Sequence, residues 1–136
     1  MPEVVTSILI NEKNRILILK RSNKVGTYNG CWSGIAGYIE EGETPIQTAL
    51  KEIKEETNID KDNVKLLKKS DAIEFTDLYK NKNYDWIVYP FLFKLIKKSK
   101  IKIDWEHTDY RWINPSDIYS FETVPRLKEV ISKLLM

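Results

Sequence analysis

The stretch of sequence that decides the fold is Gly37–Ile59, which reads GYIEEGETPIQTALKEIKEETNI. Thr44 is suited to an N-cap, Pro45 to the first helical position, and Gln47 completes a Thr-x-x-Gln capping box. These signals predict a helix that begins after Thr44 and runs to Thr57.

Three glutamates share one side of this helix. With about 100° between successive helical residues, Glu52, Glu55 and Glu56 fall within an arc of about 100°. The apolar residues form a separate stripe that can pack against a sheet, namely Ile46, Ala49, Leu50 and Ile53. The helix is therefore expected to be anchored by one face and to present carboxylates on the next.

This clustering of negative charge is unfavourable by itself. Glu52 repels Glu55 and Glu56 at i+3 and i+4, which costs about 0.2–0.5 kcal/mol per pair, and the dipole disfavours anions near the end of a helix. A hard divalent cation such as Mg²⁺ or Mn²⁺ takes oxygen ligands and would convert the repulsion into coordination. The alternative, from these residues alone, is an acidic face that is simply solvated.

Length and composition suit a single globular domain over residues 1–136, since 42% of the residues are hydrophobic and 31% are charged. All five glycines lie between positions 26 and 42, where the backbone must turn tightly or approach something closely. The longest apolar run, Ile87–Ile96, is too short to cross a bilayer, and no signal peptide is visible. A lone cysteine, Cys31, cannot form an internal disulfide. We therefore expect a cytoplasmic protein.

The net charge of +2 is too mild to predict a nucleic-acid partner. Its distribution is uneven, with acidic residues gathered between positions 40 and 56 and a lysine-rich run between 94 and 102. We interpret the lysine run as a solvated strand connection, and the alternative is a patch for polyphosphate or RNA.

Strand patterns surround the glycine-rich segment. Val4–Ile10 and Arg15–Arg21 are apolar runs separated by a turn-like sequence, which predicts a hairpin, and the unbroken Ile16–Leu19 predicts burial on both faces. Two longer strands are predicted at Val64–Tyr79 and Tyr84–Ile96, with Pro90 marking an edge or a bulge.

The last part of the chain adds a short helical turn at positions 114–117 and a helix capped by Thr123. The order of strands, helix, strands and helix, with strands buried on both faces, predicts an α/β (α+β) fold with a mixed sheet packed between helices.

Spacing around the acidic helix resembles the Nudix box, the signature of the Nudix hydrolase family, which reads Gly-x5-Glu-x7-Arg-Glu-aliphatic-x-Glu-Glu-x-Gly-aliphatic. Seven of its nine specified positions match as written, and they are Gly37, Glu43, Glu52, Ile53, Glu55, Glu56 and Ile59. Asn58 replaces the glycine that ends the helix in the left-handed conformation, a role that asparagine tolerates. Lys51 replaces an arginine that pairs with a box glutamate such as Glu43, so the two-pronged donor is lost.

The resemblance covers nearly the whole chain and implies the Nudix fold, an α/β/α sandwich around a mixed central sheet. It also implies hydrolysis, with help from Mg²⁺ or Mn²⁺, of a nucleoside diphosphate linked to another group. Glu55 and Glu56 are the implied metal ligands, with Glu55 also counted as catalytic, and the carbonyl of Ala36 completes the shell. Glu52 is implied as either a ligand or the general base.

Residues outside the box are also implicated by the resemblance. Glu106 lies where related enzymes carry a further metal-binding or basic glutamate, and Arg21 lies where relatives contact phosphate. His107 is assigned to phosphate or base contact, against a structural loop role. Aromatic residues near the expected pocket are candidates for clamping a base, chiefly Trp32 and Phe75, with core packing as the alternative. The wider aromatic set also includes Tyr28, Tyr79 and Trp86.

A (deoxy)nucleoside triphosphate, cleaved to monophosphate and pyrophosphate, ranks first among the expected substrates. Dinucleoside polyphosphates come second because the segment from Glu106 to Trp112 resembles their hydrolases, and ADP-ribose comes third. A nucleotide is the expected partner, membrane and nucleic acid are not, and a homodimer is left open. A different class of function is a Nudix module that binds nucleotides or RNA without hydrolysing them.

Overall fold

Two apolar strands near the start of the chain form the centre of the sheet in the computed structural model, which describes residues 2–135. Strand β1 is Glu3–Ile10 and strand β2 is Ile16–Arg21, and they meet antiparallel where Ile10 faces Ile16. Side chains of β2 alternate between two separate apolar cores, one containing Ile16 and Ile18 and the other Leu17 and Leu19. The predicted hairpin and the predicted burial of β2 on both faces are confirmed.

Six more strands complete a mixed sheet: β3 (Trp32–Ser33), β4 (Ile35–Tyr38), β5 (Val64–Lys69), β6 (Ile73–Tyr79), β7 (Lys82–Leu95) and β8 (His107–Ile113). The pairing of β1 with β7 is parallel, whereas β4 pairs with β1, and β3 and β8 pair with β2, all antiparallel. Strand β7 is paired on both sides, because β5 and β6 also run antiparallel to it.

Helices cover both faces of this sheet. Helix α1 (Pro45–Thr57) packs on the core that contains Leu17 and Leu19, and helix α2 (Leu127–Leu135) packs on the core that contains Ile16 and Ile18. Short 3₁₀ helices lie at Lys61–Asn63 and Pro115–Ser120. This arrangement confirms the predicted fold class. Within residues 2–135 no helix has the length and apolar character needed to cross a membrane.

The region predicted as a single strand over Val64–Tyr79 is divided, and that prediction was wrong. Three residues at positions 70–72 separate β5 from β6, and both strands pair with β7. Pro90 lies in β7 at this gap, where its carbonyl accepts a hydrogen bond from the Ser70 amide at 3.2 Å. Strand β7 is internal, so Pro90 does not mark an edge; its missing N–H falls where β7 passes from one partner strand to the other and the pairing is interrupted.

Thr123 does not cap the last helix, which was also predicted wrongly. Arg126 has a left-handed backbone (φ 69°), and α2 begins only at Leu127. Thr123 instead makes an isolated parallel bridge to Trp32, and the Val124 amide donates to the Trp32 carbonyl at 3.0 Å. The apolar periodicity of the helix was visible in the sequence, but this long-range pairing moved its start.

Candidate active site

Helix α1 has the boundaries that its sequence predicts. The Thr44 hydroxyl accepts a hydrogen bond from the Gln47 amide at 3.3 Å, and the Gln47 side chain accepts one from the Thr44 amide at 2.9 Å. At the other end Asn58 is left-handed (φ 64°), and its amide donates to the Lys54 carbonyl. These caps set the position of the glutamates along the helix.

Gly37 in β4 allows helix α1 to approach the sheet at Glu52. A Cβ built on Gly37 would lie 2.5 Å from Cγ of Glu52 and closer still to Cδ. A real Cβ cannot be accommodated at that distance, so only glycine lets the Glu52 side chain lie across the strand. The glycine of the motif thereby fixes the location of a carboxylate.

Lys51 joins the loop before α1 to the helix. Its ammonium lies 2.8 Å from Oε2 of Glu43 and 3.6 Å from Oε2 of Glu40. Glu43 also accepts hydrogen bonds from the Glu40 amide and from the Thr48 hydroxyl. The hydrogen bond from Lys51 is the main cause that lowers the pKa of Glu43. The pairing expected of residue 51 is therefore present, made by lysine in place of arginine.

Glu56 is buried beneath Glu52. Its side chain is 2% exposed, and within residues 2–135 its Oε2 has no hydrogen-bond partner. Its Oε1 lies 3.5 Å from Nε2 of His107, and Nδ1 of the same ring lies 2.8 Å from Oδ1 of Asp104. The carboxyls of Glu52 and Glu56 are neighbours on α1, and each shifts the pKa of the other.

These carboxyl groups are held in an environment that disfavours their charge. Burial is the main cause that raises the pKa of Glu52 from 4.5 to about 7, and the hydrogen bond with Glu56 opposes it. Burial raises the pKa of Glu56 well above its ordinary value, and Glu52 raises it further. The pKa of Glu106 is raised by burial and then by the charge of Asp104. A bound cation would favour the ionised forms of these carboxyls and would therefore displace their protons.

A cleft of about 300 Å³ opens beside this cluster. Part of its lining is polar or charged and comes from Arg21, Ala36, Gly37, Glu52, Glu55 and Glu106. The rest is mainly apolar and aromatic and includes Tyr28, Tyr38, Phe75, Trp86, Val88 and Val124. Arg21 donates from Nε to the Thr27 carbonyl at 3.0 Å, which ties the loop after β2 to the cleft. The cleft thus combines carboxylates and a guanidinium with aromatic rings.

Not every candidate residue reaches the cleft wall. Trp32 is 8% exposed, and its ring packs against Phe121 (centroids 5.4 Å apart) and under the Arg111 guanidinium. His107 is 6% exposed and faces Glu56. The structure therefore does not bring Trp32 or His107 to the surface where Arg21 and Phe75 lie.

Two acidic partners were not identified from the sequence. Asp104 orients His107 from three residues upstream, a separation that could have suggested a local contact. Asp77 accepts a hydrogen bond from the Tyr28 hydroxyl at 2.7 Å across a separation of 49 residues, for which the sequence carries no signal.

The donor set fits a hard divalent cation in its chemistry. Within residues 2–135 no three His, Cys, Asp or Glu side chains are already arranged as a ligand cluster. The carboxylates nevertheless supply the oxygen donors that Mg²⁺ prefers, and the unpartnered Oε2 of buried Glu56 is a polar atom that needs a partner. The chemistry of these donors therefore fits the expected cation site.

The chain is similar to known proteins along most of its length. A family model described as the NUDIX domain matches residues 1–134. Dihydroneopterin triphosphate diphosphatase of Haemophilus influenzae is 26% identical and aligns with 97% of this chain and 85% of its own. Isopentenyl-diphosphate Delta-isomerase of Haloarcula marismortui is 25% identical over 76% of this chain, and the chain spans only 56% of that relative's length.

A solved structure of an Ap4A hydrolase from C. elegans superposes with a TM-score of 0.78. The alignment covers 98% of this chain and 94% of that one at 20% sequence identity. At this level of identity the match establishes a common fold.

Proposed function

The chain belongs to the NUDIX family, and on that premise we propose that it is a divalent-metal-dependent pyrophosphohydrolase of nucleoside diphosphates linked to another group. One observation carries the proposal: Glu52, Glu55 and Glu106 line the same cleft as Tyr28, Phe75 and Trp86. Carboxylates suit a cation that neutralises phosphate, and aromatic rings suit a nucleobase. The cleft therefore matches the two ends of a nucleotide.

The cation would be held by carboxylates from two parts of the chain. We assign Glu52, Glu55 and Glu56 on α1, Glu106 before β8 and the Ala36 carbonyl as its ligands. When bound, Mg²⁺ or Mn²⁺ would neutralise phosphate oxygens and lower the pKa of a coordinated water. The raised pKa values of Glu52 and Glu106 suit carboxyls that stay protonated in the metal-free protein and ionise when a cation binds.

The reaction itself breaks one phosphoanhydride bond. A water oxygen forms a bond to phosphorus, the bond from that phosphorus to the bridging oxygen breaks, and the leaving phosphate departs with the bond's electrons. One of the two residues Glu52 and Glu106 accepts the proton of the water in place of binding the cation, since both carboxyls line the cleft and both have raised pKa values. Arg21 lies on the same wall and binds the phosphates of the substrate.

A (deoxy)nucleoside triphosphate is the proposed substrate, with monophosphate and pyrophosphate as products. The Haemophilus influenzae relative, which aligns along almost the whole chain, is named for a triphosphate substrate. Dinucleoside polyphosphates rank second and ADP-ribose third. Family membership alone does not select the reaction, because another relative is named an isomerase; the carboxylates that line the cleft support hydrolysis.

The test is a panel of nucleoside triphosphates, dinucleoside polyphosphates and ADP-ribose, with products separated by ion-exchange chromatography. Turnover should require Mg²⁺ or Mn²⁺, and Glu56→Gln should abolish it without unfolding the protein. Glu41→Gln is the matched control, since Glu41 is an exposed acid in the loop between Gly37 and α1. If the protein binds nucleotides but does not hydrolyse them with either metal, the proposal of an enzyme fails and the protein is a nucleotide-binding module. Preference for ADP-ribose would overturn the proposed order of substrates.

A further inference from the structure

A row of three buried or half-buried side chains runs behind the cleft, from Asp104 through His107 to Glu56. The two ring nitrogens of His107 face different carboxyls, with Nδ1 at 2.8 Å from Asp104 and Nε2 at 3.5 Å from Glu56. The His107 and Glu56 side chains are each 2% exposed, and that of Asp104 is 18% exposed. His107 is the only histidine in the chain.

The start of β8 places His107 in this row. Its partner in β2 is Arg21, at a point where the register shifts between Lys20 and Arg21. The Ser22 amide donates to the Glu106 carbonyl at 2.7 Å, which ties the preceding residue to the same strand end. Glu106 consequently lines the cleft while His107 is buried behind it. Irregular pairing of this kind commonly redirects side chains beside active sites.

We propose that His107, oriented by Asp104, is a positioning residue that holds Oε1 of Glu56 and so keeps Oε2 free for the cation. The proposal rests on the proposed function, because it assumes that Glu56 is a metal ligand. Oε2 is the buried oxygen without a partner in the described chain. A carboxyl fixed through one oxygen presents the other in a single direction, as supporting hydrogen bonds do in metal sites.

Space-filling packing alone does not explain why a histidine lies at position 107. An imidazole buried between two carboxyls is costly unless both of its nitrogens are engaged, and an aliphatic side chain would fill the same space without that cost. The ring is in fact aimed at a carboxyl on each side. A polar side chain in this geometry restricts the orientation of the carboxyl beside it. A carboxyl that binds a cation requires such a fixed orientation.

The experiment compares His107→Leu with His107→Gln in the metal-free protein, using calorimetric titration with Mn²⁺ and then Mg²⁺. Leucine removes both polar contacts, so cation affinity should fall about 10–100-fold. Glutamine keeps an amide nitrogen that can donate to Glu56, so its affinity should stay within about threefold of wild type. Asp104→Asn should give an intermediate loss. The control is Asp109→Asn, whose exposed side chain lies on the same strand.

A second measurement needs no metal and no activity. Because the chain has one histidine, its two ring ¹⁵N resonances are unambiguous. In metal-free protein, Glu56→Gln should shift the Nε2 resonance and Asp104→Asn the Nδ1 resonance. Each shift supports the row of contacts, and an Nε2 resonance indifferent to Glu56→Gln overturns the proposal even if His107→Leu does not fold.

The outcomes separate the two proposals. If the wild-type protein binds neither cation, the proposed function fails and this inference fails with it. If the wild type binds but His107→Leu binds within threefold as tightly, only the positioning role is overturned. An equal loss in the leucine and glutamine variants also overturns it, because a merely structural side chain would behave in that way.

Discussion

Gly37 and Glu52 lie in direct contact although they belong to different elements. Gly37 pairs with Val5 in the sheet, and Glu52 projects from α1 across that strand, where a Cβ on residue 37 would be 2.5 Å from Cγ of Glu52. The separation between helix and sheet is thus set by a missing methyl group. The carboxyl of Glu52, which lines the cleft, depends on the absence of a side chain at Gly37 for its position.

The first prediction is that Gly37→Ala displaces Glu52. The added methyl cannot fit without moving the side chain or the helix, so the free energy of unfolding should fall by about 1–3 kcal/mol. Turnover should fall by about 100-fold or more, since misplacing a reacting group by about 1 Å has that effect. Denaturant unfolding and initial-rate measurements check the two parts separately.

Gly26→Ala is the control for this change. Apart from Gly26 and its two chain neighbours, no residue among 2–135 has an atom within 4 Å of a Cβ built on Gly26, and its φ is not left-handed. Stability and turnover should therefore stay close to wild type. Equal behaviour of the two alanine variants would show that the contact between Gly37 and Glu52 does not position the carboxyl.

The second prediction concerns Lys51, which ties Glu43 and Glu40 to α1. Lys51→Ala should reduce turnover by about tenfold or more by releasing the loop, whereas the free energy of unfolding should change by less than about 1 kcal/mol because the pair is partly exposed. Lys51→Arg should retain or raise turnover, because a guanidinium can bind two carboxylates at once.

Lys54→Ala provides the comparison on the same helix. Lys54 pairs with Asp60 at 2.7 Å, but both side chains are exposed and neither lines the cleft. Its loss should leave turnover unchanged. A similar loss of turnover in both variants would indicate a general effect on α1 and not on the loop.

Local signals explain why the sequence predicted α1 so closely. Its capping box, its proline and its terminal asparagine each act within a few residues, and each has the predicted geometry. The burial of β2 on both faces also follows from four consecutive aliphatic residues. The acidic side of α1 could therefore be placed from sequence alone.

Long-range pairing accounts for what the sequence did not reveal. His107 reaches Glu56 only because β8 pairs with β2, and no local pattern encodes a contact across that separation. Trp32 lies among the glycines near the cleft, yet its bridge to Thr123 directs the ring toward Phe121. Both residues were assigned to substrate from their position along the chain, which carries no information about side-chain direction.

The third prediction is that the metal-free protein loses stability as pH rises. Glu52 titrates near 4.5 in the unfolded chain but near 7 in the folded protein. The folded state therefore binds the proton more tightly, and this stabilisation, complete below about pH 4.5, is lost as pH rises through about 7. Thermal unfolding in EDTA between pH about 5 and about 8 should show a falling midpoint.

Added Mg²⁺ should reverse this effect at the alkaline end, because a cation favours the ionised carboxyls. Glu52→Gln should reduce the pH dependence in EDTA, with the remainder due to Glu56 and Glu106, and should reduce the response to Mg²⁺. Glu41→Gln is the comparison, since Glu41 is exposed and is not among the groups that shift the pKa of Glu52, and it should leave the slope in EDTA unchanged. A midpoint that rises with pH in EDTA would contradict the prediction.

The fourth prediction concerns the loop that carries Tyr28 into the lining of the cleft. Tyr28 has a left-handed backbone (φ 53°), its hydroxyl donates to Asp77 at 2.7 Å, and its ring lies 4.6 Å from that of Tyr79. Asn29 secures the same loop by donating to the carbonyls of Ser22 and Val25. The unfavourable backbone of Tyr28 is thus maintained by contacts of its side chain.

Tyr28→Phe keeps the ring and removes only the hydroxyl that binds Asp77. The free energy of unfolding should fall by about 1 kcal/mol, and KM for the preferred nucleotide should rise about fivefold while kcat stays close to wild type. The split is expected because the ring is assigned to the nucleobase and not to the reacting phosphate, so loosening it weakens binding equally in the ground and transition states. Tyr119→Phe, at a side chain 66% exposed, should change neither constant. A fall in kcat at constant KM would instead place Tyr28 in the reacting geometry and contradict a role confined to nucleotide binding.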